Sequence, residues 1–307
     1  MYVPIGGIEQ YLEIGGDAPD HPILLNLHGG PGGTSVPAAM SWRPWEEHFA
    51  VVHWDQRGAG RTFLKNGSEG CGPLTIERMI SDGIEVAEFL ITHLGKPKIF
   101  LVGHSWGSAL GLMMLRRRPE LFSAFVGTGQ FVSWQGSQTY NYSRVLGQAE
   151  RADNAEALRM LRDIGPPPYG ERTKTRLLLE WAERLAEGDG DPVSPRPPVK
   201  PTNLTPEDIP AIQQGMQFTR EQLFEELSGL DLPSLGSEFA VPVFFFQGTE
   251  DPSTPCELAE KYFSTLQAPH KEFVRFEGCH HFVVMNRPND FLQELLTRVR
   301  PLLAVVA

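Results

Sequence analysis

The amino-acid sequence predicts an α/β fold: a mostly parallel sheet flanked by helices, with a helical segment inserted in the middle of the chain. Three observations point there. Over the first 130 residues short apolar runs alternate with helical patterns. From about Phe131 to Gly236 the pattern is helical and broken by prolines, and strand signals return from Val241 onwards. Strand, loop, helix and strand in that order build βαβ units, which pair their strands in parallel.

Taken in order, Ile23–Leu27 reads as a strand ending in the loop His28-Gly29-Gly30-Pro31-Gly32-Gly33. Phe49–Trp54 reads as a second strand, ending at Asp55-Gln56-Arg57-Gly58. Apolar residues from Thr75 to Leu94 recur at helical spacing, with Thr75 placed to cap the helix. Ile99-Phe100-Leu101-Val102 is continuously apolar, as a strand buried on both faces requires. A helix over Ser108–Arg118 is closed by Pro119, and Phe122–Val126 is the next strand. In the middle, helices are expected over Glu150–Asp163, Arg172–Glu187 and Thr219–Leu227, separated by Pro166-Pro167-Pro168 and a proline-rich stretch from Asp191 to Pro210. Strands follow at Val241–Gln247 and Glu272–Phe276, and helices at Glu257–Thr265 and Asn289 to about Val299. The simplest organisation is a sheet domain of residues 1–130 and 237–307 with a helical cap of residues 131–236. Such a cap would sit over the carboxyl edge of the sheet, where loops hold ligands.

Composition narrows the function. Of 307 residues 41% are hydrophobic and 21% charged, the balance of a soluble globular protein rather than a disordered, collagen-like or coiled-coil chain. With 27 basic against 38 acidic residues the net charge is −11, which disfavours nucleic acid and anionic lipid as partners. The N-terminal segment lacks the basic start and apolar run of a signal peptide, and no stretch approaches the roughly 20 apolar residues of a membrane span. A cytoplasmic protein is expected. Cys71, Cys256 and Cys279 are too scattered for a disulfide framework or a zinc site and suit a reducing compartment.

The chemistry begins at Gly103-His104-Ser105-Trp106-Gly107, a G-x-S-x-G motif directly between a buried strand and a helix. In that context the turn is sharp, its neighbours must be small, and the serine stands exposed as a nucleophile. Its helix N-terminus favours developing negative charge. A serine nucleophile needs a base, and the base an orienting acid. In sheets of this kind they follow in the order Ser, Asp or Glu, His. The loop after Phe246 offers Glu250 and Asp251; the shorter side chain before Pro252 fits a tight turn, which favours Asp251. The loop after Phe276 offers His280 and His281, which spacing alone does not separate. An oxyanion needs two preorganised N–H donors. Trp106, after the nucleophile, supplies one. Gly30 of the early loop supplies the other, because Pro31 has no N–H, and Gly29 beside it lets the substrate approach. No G-K-[ST] and no helix pattern follows that loop, so a phosphate cradle is disfavoured. Asp55, Arg57 and His28 read as structural supports of the two loops.

Taken together, His28-Gly29-Gly30-Pro31-Gly32, Trp54-Asp55-Gln56-Arg57-Gly58-Ala59-Gly60-Arg61-Thr62 and Gly103-His104-Ser105-Trp106-Gly107-Ser108 resemble the proline iminopeptidase family of α/β-hydrolases. The resemblance spans about two thirds of the chain and implies an α/β-hydrolase fold. Laid on the family's G-x-G-H loop, His281 falls on the catalytic histidine, and Asp251 is similar to its acid. The resemblance further implies release of an N-terminal residue, typically proline, through an acyl-enzyme, with no metal or organic cofactor. Family members hold the substrate's free amine with acidic residues, mostly of the cap. By location the candidates here are Glu180, Glu183, Glu221, Glu225 and Glu226, although for each of them a solvated helix face is the favoured reading. Phe131 and Trp134 open the cap and are candidates to wall an apolar pocket, or to pack within the cap. Other readings are an esterase or amidase acting on a small metabolite under a diverged cap, and a ligand receptor, which the intact Ser105, Asp251 and His281 set disfavours. A carboxylate nucleophile, as in epoxide hydrolases, is excluded by Ser105.

Overall fold

Six parallel strands, with an antiparallel pair at one edge, build the single sheet of the protein, seen in a computed structural model that describes residues 1–16, 20–186 and 204–305. In chain order the strands are β1 (Tyr2–Ile5), β2 (Ile8–Gly15), β3 (Ile23–Leu27), β4 (Ala50–Asp55), β5 (Ile99–His104), β6 (Phe122–Thr128), β7 (Val243–Gly248) and β8 (Lys271–Phe276). They lie side by side as β1-β2-β4-β3-β5-β6-β7-β8. The predicted class is therefore the observed one, and the predicted strands stand within two residues of their expected bounds.

The apolar runs of β3, β5, β6 and β7 send alternate side chains to opposite faces of the sheet. Leu25, Leu27, Leu101, Phe125 and Phe245 join one core, packed by α2 (Ile76–Leu94), α3 (Trp106–Arg117) and α8 (Cys256–Thr265). Leu24, Phe100, Val102, Phe244 and Phe246 join the other, closed by Trp45, Phe49 and Phe291. Thr75 caps α2 as expected, its hydroxyl accepting the Arg78 N–H at 3.1 Å.

The edge hairpin β1–β2 escapes sequence reading because it is short and carries Glu9, Gln10 and Glu13 among its apolar residues; it turns at Gly6 and Gly7, both at positive φ. Helix α1 (Gly60–Gly70) also goes unpredicted. It is rich in poor helix formers and breaks its regular backbone at Gly67. The segment after the first glycine loop is not featureless: Val36–Glu47 forms a 3-10 helix, with Pro44 inside it.

Among the described residues four α-helices lie between β6 and β7: α4 (Trp134–Arg151), α5 (Ala155–Ile164), α6 (Arg172–Ala186) and α7 (Asp208–Ser228). The single helix expected over Glu150–Asp163 is instead the end of α4 and all of α5. The chain breaks where Asp153 takes a φ of 48° and the Asn154 side chain caps α5 through the Ala157 N–H at 3.0 Å. Helix α7 starts at Asp208 rather than Thr219; Pro210 fits its first turn, and the polar Gln213-Gln214-Gly215 run hides the periodicity. Of the proline-rich stretch, residues 191–203 lie outside the described residues, as does the last residue of the helix expected over Arg172–Glu187. Val145, Ala149, Met160, Leu161, Leu178 and Trp181 give α4, α5 and α6 a small core of their own, while α7 docks on α1. There Thr219 Oγ1 donates to the Gly58 carbonyl at 2.8 Å and Arg61 pairs with Asp208 at 3.1 Å. A side chain at Gly215 would come within 2.7 Å of that same carbonyl. Among the described residues no helix is long and apolar enough to cross a membrane.

The loop after β4 is fastened by a buried ion pair. Arg57 and Asp82, 1% and 0% exposed, meet at 2.7 Å. Arg57 also donates to the carbonyls of Gly6 and Cys71, and Arg78 reaches Asp82 at 2.8 Å. Removing one partner leaves an uncompensated buried charge. Asp82→Ala is expected to destabilise the fold by about 3–5 kcal/mol, read as a lower midpoint of urea denaturation. A midpoint equal to that of the native chain would rule this anchor out.

Candidate active site

Ser105 sits at the turn between β5 and α3 with φ 55° and ψ −121°, a conformation that a non-glycine residue holds only under constraint from its surroundings. The surroundings supply it. A side chain at Gly107 would lie 2.1 Å from the Leu27 carbonyl, and one at Gly103 would lie 2.4 Å from the Gly107 carbonyl. Both glycines of the motif are therefore required for α3 to pack down on β3 and β5. The Ser105 N–H donates to the Thr128 carbonyl at 3.0 Å, tying the turn to β6.

The glycine loop after β3 lies against this turn. A side chain at Gly29 would come within 2.9 Å of the Ser105 Cβ. The loop is held from below. His28 Nε2 accepts the Gln56 N–H at 3.2 Å, so its ring carries the proton on Nδ1, which reaches the Gly29 carbonyl at 2.9 Å. Gln56 donates back to the His28 carbonyl at 3.1 Å and accepts the Trp106 indole N–H at 3.0 Å. One buried glutamine thus couples the glycine loop to the residue after Ser105. Asp55 has a parallel task. Its carboxylate accepts the Arg61 N–H at 2.8 Å at the start of α1, and the Thr34 hydroxyl.

Asp251 follows β7 and is 2% exposed. Its carboxylate accepts the N–H groups of Ser253 and Thr254 at 2.8 and 2.9 Å, the Thr254 hydroxyl at 2.7 Å, and His281 Nδ1 at 2.8 Å. Burial alone would raise its pKa; the His281 charge and the hydrogen bonds from His281 and Thr254 outweigh burial and hold it below the ordinary value. Glu250 beside it is exposed. His280 does not reach the acid, and its Nδ1 is buried without a partner. The His281 ring lies 4.6 Å from that of His104, centroid to centroid.

Ser105 and His281 line one cavity of about 850 Å³, together with Gly29, Gly30, Trp106, Phe131 and Trp134. The acids expected from the cap divide differently. Glu183 of α6 lines the cavity; Glu180, Glu221, Glu225 and Glu226 do not. Glu180 turns outward to Arg176 at 3.5 Å. Glu221 accepts from Gln217 on an exposed side of α7, where Glu225 also lies. Glu226 accepts the Ile76 N–H at 3.0 Å, at the N-terminus of α2. The register of α6 and α7 puts these four away from the site. Sequence reading missed Thr254, whose signal is the turn in which Asp251 bonds the N–H groups two and three residues on. It also missed Asn141 and Arg220 on the cavity wall, for which no local pattern exists.

A family model for the α/β-hydrolase fold matches residues 22–288. The chain is 31% identical over 304 residues to a probable aminopeptidase, YbaC, of Bacillus subtilis (strain 168), covering 96% of this chain and 94% of that protein. It is 32% identical over 300 residues to a proline iminopeptidase of Clostridioides difficile (strain 630), covering 96% and 95%. The chain belongs to the proline iminopeptidase family of α/β-hydrolases. A solved proline iminopeptidase of Mycobacterium smegmatis shares the hydrolase's fold, with a TM-score of 0.68 at 18% identity over 100% of this chain and 99% of that one.

Buried titratable groups set how this hydrolase tolerates acid. Burial lowers His28 and His53 from 6.5 to about 4, offset for His28 by its bond to the Gly29 carbonyl. Between those values the unfolded chain binds more protons, so stability is full above about 6.5 and is lost as pH falls towards 4. Asp55 acts oppositely. Burial outweighs its hydrogen bonds and raises it from 3.8 to about 6, so stability is lost as pH rises through that window. Two histidines against one aspartate leave a net loss on acidification. The thermal midpoint is expected to fall between pH 6.5 and pH 4.5, and to fall less steeply in His53→Gln, which does not line the cavity. A midpoint that rises over this interval would contradict neutral buried histidines.

Proposed function

We propose that this α/β-hydrolase is a serine aminopeptidase that releases an N-terminal residue, proline or another small one, from short peptides through an acyl-enzyme. The observation that carries the catalytic part is the 2.8 Å bond from His281 to the buried Asp251, with His281 and Ser105 on the same cavity. Asp251 holds the His281 ring with its proton on Nδ1, leaving Nε2 to accept the proton of Ser105 as Oγ attacks the acyl carbon. The resulting oxyanion receives N–H groups from Trp106 and Gly30. His281 then returns the proton to the departing amine, and water repeats the sequence to free the acid. The described cap residues, 131–186 and 204–236, close the cavity over this machinery, with Phe131 and Trp134 walling the acyl side.

The peptidase part rests on the relatives named aminopeptidase and proline iminopeptidase. Glu183 and the side-chain Oδ1 of Asn141, both of residues lining the cavity, are acceptors of the kind a free amine would use. Asn141 Nδ2 is engaged by the Pro252 carbonyl at 2.6 Å, which leaves Oδ1 buried and unpartnered. A second reading, hydrolysis of a small-molecule ester or amide with the same triad, is favoured by the outward turn of Glu180, Glu221, Glu225 and Glu226. The free buried cysteines accord with a reducing compartment such as the cytoplasm.

A chromogenic prolyl amide, its N-acetylated form and a short-chain ester separate the two readings. The peptidase is expected to turn over the free-amine amide and spare the acetylated one. Ser105→Ala is expected to lower kcat by a factor on the order of 10⁴ or more. Turnover of the ester with neither amide would overturn the peptidase reading and leave the second.

A further inference from the structure

The α7 helix presents one stripe to the cavity: Ile212, Met216, Arg220 and Leu227. Their spacing of four, four and seven residues is that of a single helix face. Arg220 is the charged member of an otherwise apolar row. No ion pair joins it to a carboxylate among the described residues, although Glu221 is its chain neighbour, because Glu221 turns to Gln217. The charge that acts on it is another cation. Arg172, whose guanidinium lies 5.5 Å from the centre of the Phe224 ring one turn along α7, acts on Arg220 as a like charge. Arg220 lines the cavity yet stays exposed to solvent, and desolvation by the neighbouring protein and then that charge lower its pKa. A guanidinium in this setting lacks the counter-ion that its fork of donors is shaped to hold.

Its position relates it to the reaction. Met216 Cα lies 2.9 Å from where a Gly32 side chain would begin, so α7 presses on the glycine loop beside Ser105. Arg220 stands one helical turn further along the same face, about 5.4 Å away. In a dipeptide the C-terminal carboxylate lies a single residue beyond the bond to be cut, about 3.8 Å, a span that an arginine side chain bridges.

We propose that Arg220 binds a carboxylate of the substrate, so that the preferred substrates are dipeptides whose C-terminal carboxylate stays inside the cavity. This deepens the aminopeptidase reading and rests on it. Asn141 on α4 and Glu183 on α6 offer acceptors for the amine, while α7 offers the cation for the opposite end.

The test compares prolyl-alanine with prolyl-alaninamide. Hydrolysis by the native chain and calorimetric binding to Ser105→Ala are measured, each with and without Arg220→Gln; circular dichroism and thermal melting check that the variants fold. The free acid is expected to be favoured about tenfold or more in both kcat/KM and Kd, and Arg220→Gln to bring that ratio towards one. Equal handling of acid and amide by the native chain overturns the proposal and leaves the peptidase reading standing. So does a variant that weakens both forms while keeping their ratio. If neither peptide is bound or cut, the peptidase reading fails, and monomethyl succinate against dimethyl succinate then tests Arg220 alone. Preference for the monoanion, lost in Arg220→Gln, supports the carboxylate contact; no preference overturns it.

Discussion

The close approach of α3 to β3 is the constraint on which the rest of the site depends. Gly107 is in contact with the Leu27 carbonyl so closely that even a Cβ would lie 2.1 Å away. This contact lets the chain reverse from strand to helix within a residue or two. It forces Ser105 to the positive φ of 55° and holds it there. A backbone in this region costs of order 1–3 kcal/mol. The packing of α3 against both β3 and β5, with Leu110 and Ala109 fully buried, offsets that cost. The serine is exposed in the cavity because its own turn is over-determined.

A second layer of order comes from buried polar groups that serve the loops rather than the chemistry. Gln56 spans from His28 to Trp106, so the two segments assigned to the oxyanion hole are tied through one side chain. Neutral His28 donates into the loop and accepts from the backbone. Burial, which lowers its pKa to about 4, keeps the ring neutral for this double role. Asp55 and Arg57, on either side of Gln56, bind α1 and α2 respectively. The short segment after β4 thus connects the glycine loop with two helices, without any of its residues needing to touch a substrate.

The inserted helices contribute differently. They form a small core of their own, yet α7 is fixed to the sheet side through Gly58, Arg61 and the absence of side chains at Gly215. That docking decides which face of α7 looks into the cavity. It places Met216 and the exposed Arg220 on the cavity wall and leaves Glu221 and Glu225 off it. The polarity of the cavity follows from it, with acceptors on α4 and α6 and a cation on α7.

The sequence by itself determined the six parallel strands and the loops of the candidate site. Continuous apolar runs such as Ile99–Val102, too short for a helix and followed directly by a glycine turn, suit buried strands. The glycines around Ser105 and the Asp251 turn are local signals, because the backbone conformations they permit are properties of neighbouring residues. It even pointed to Asp251 over Glu250, whereas the choice between His280 and His281 needed either family resemblance or the 2.8 Å bond to the acid. What only the tertiary structure decided is the cap. The start of α7 at Asp208, the break between α4 and α5, and the inward face of each helix depend on long-range packing. A helical pattern of glutamates looks the same from sequence whether it faces solvent or a substrate. Docking of α7 on α1 resolved that ambiguity against Glu221, Glu225 and Glu226, and the packing of α6 on α4 resolved it against Glu180.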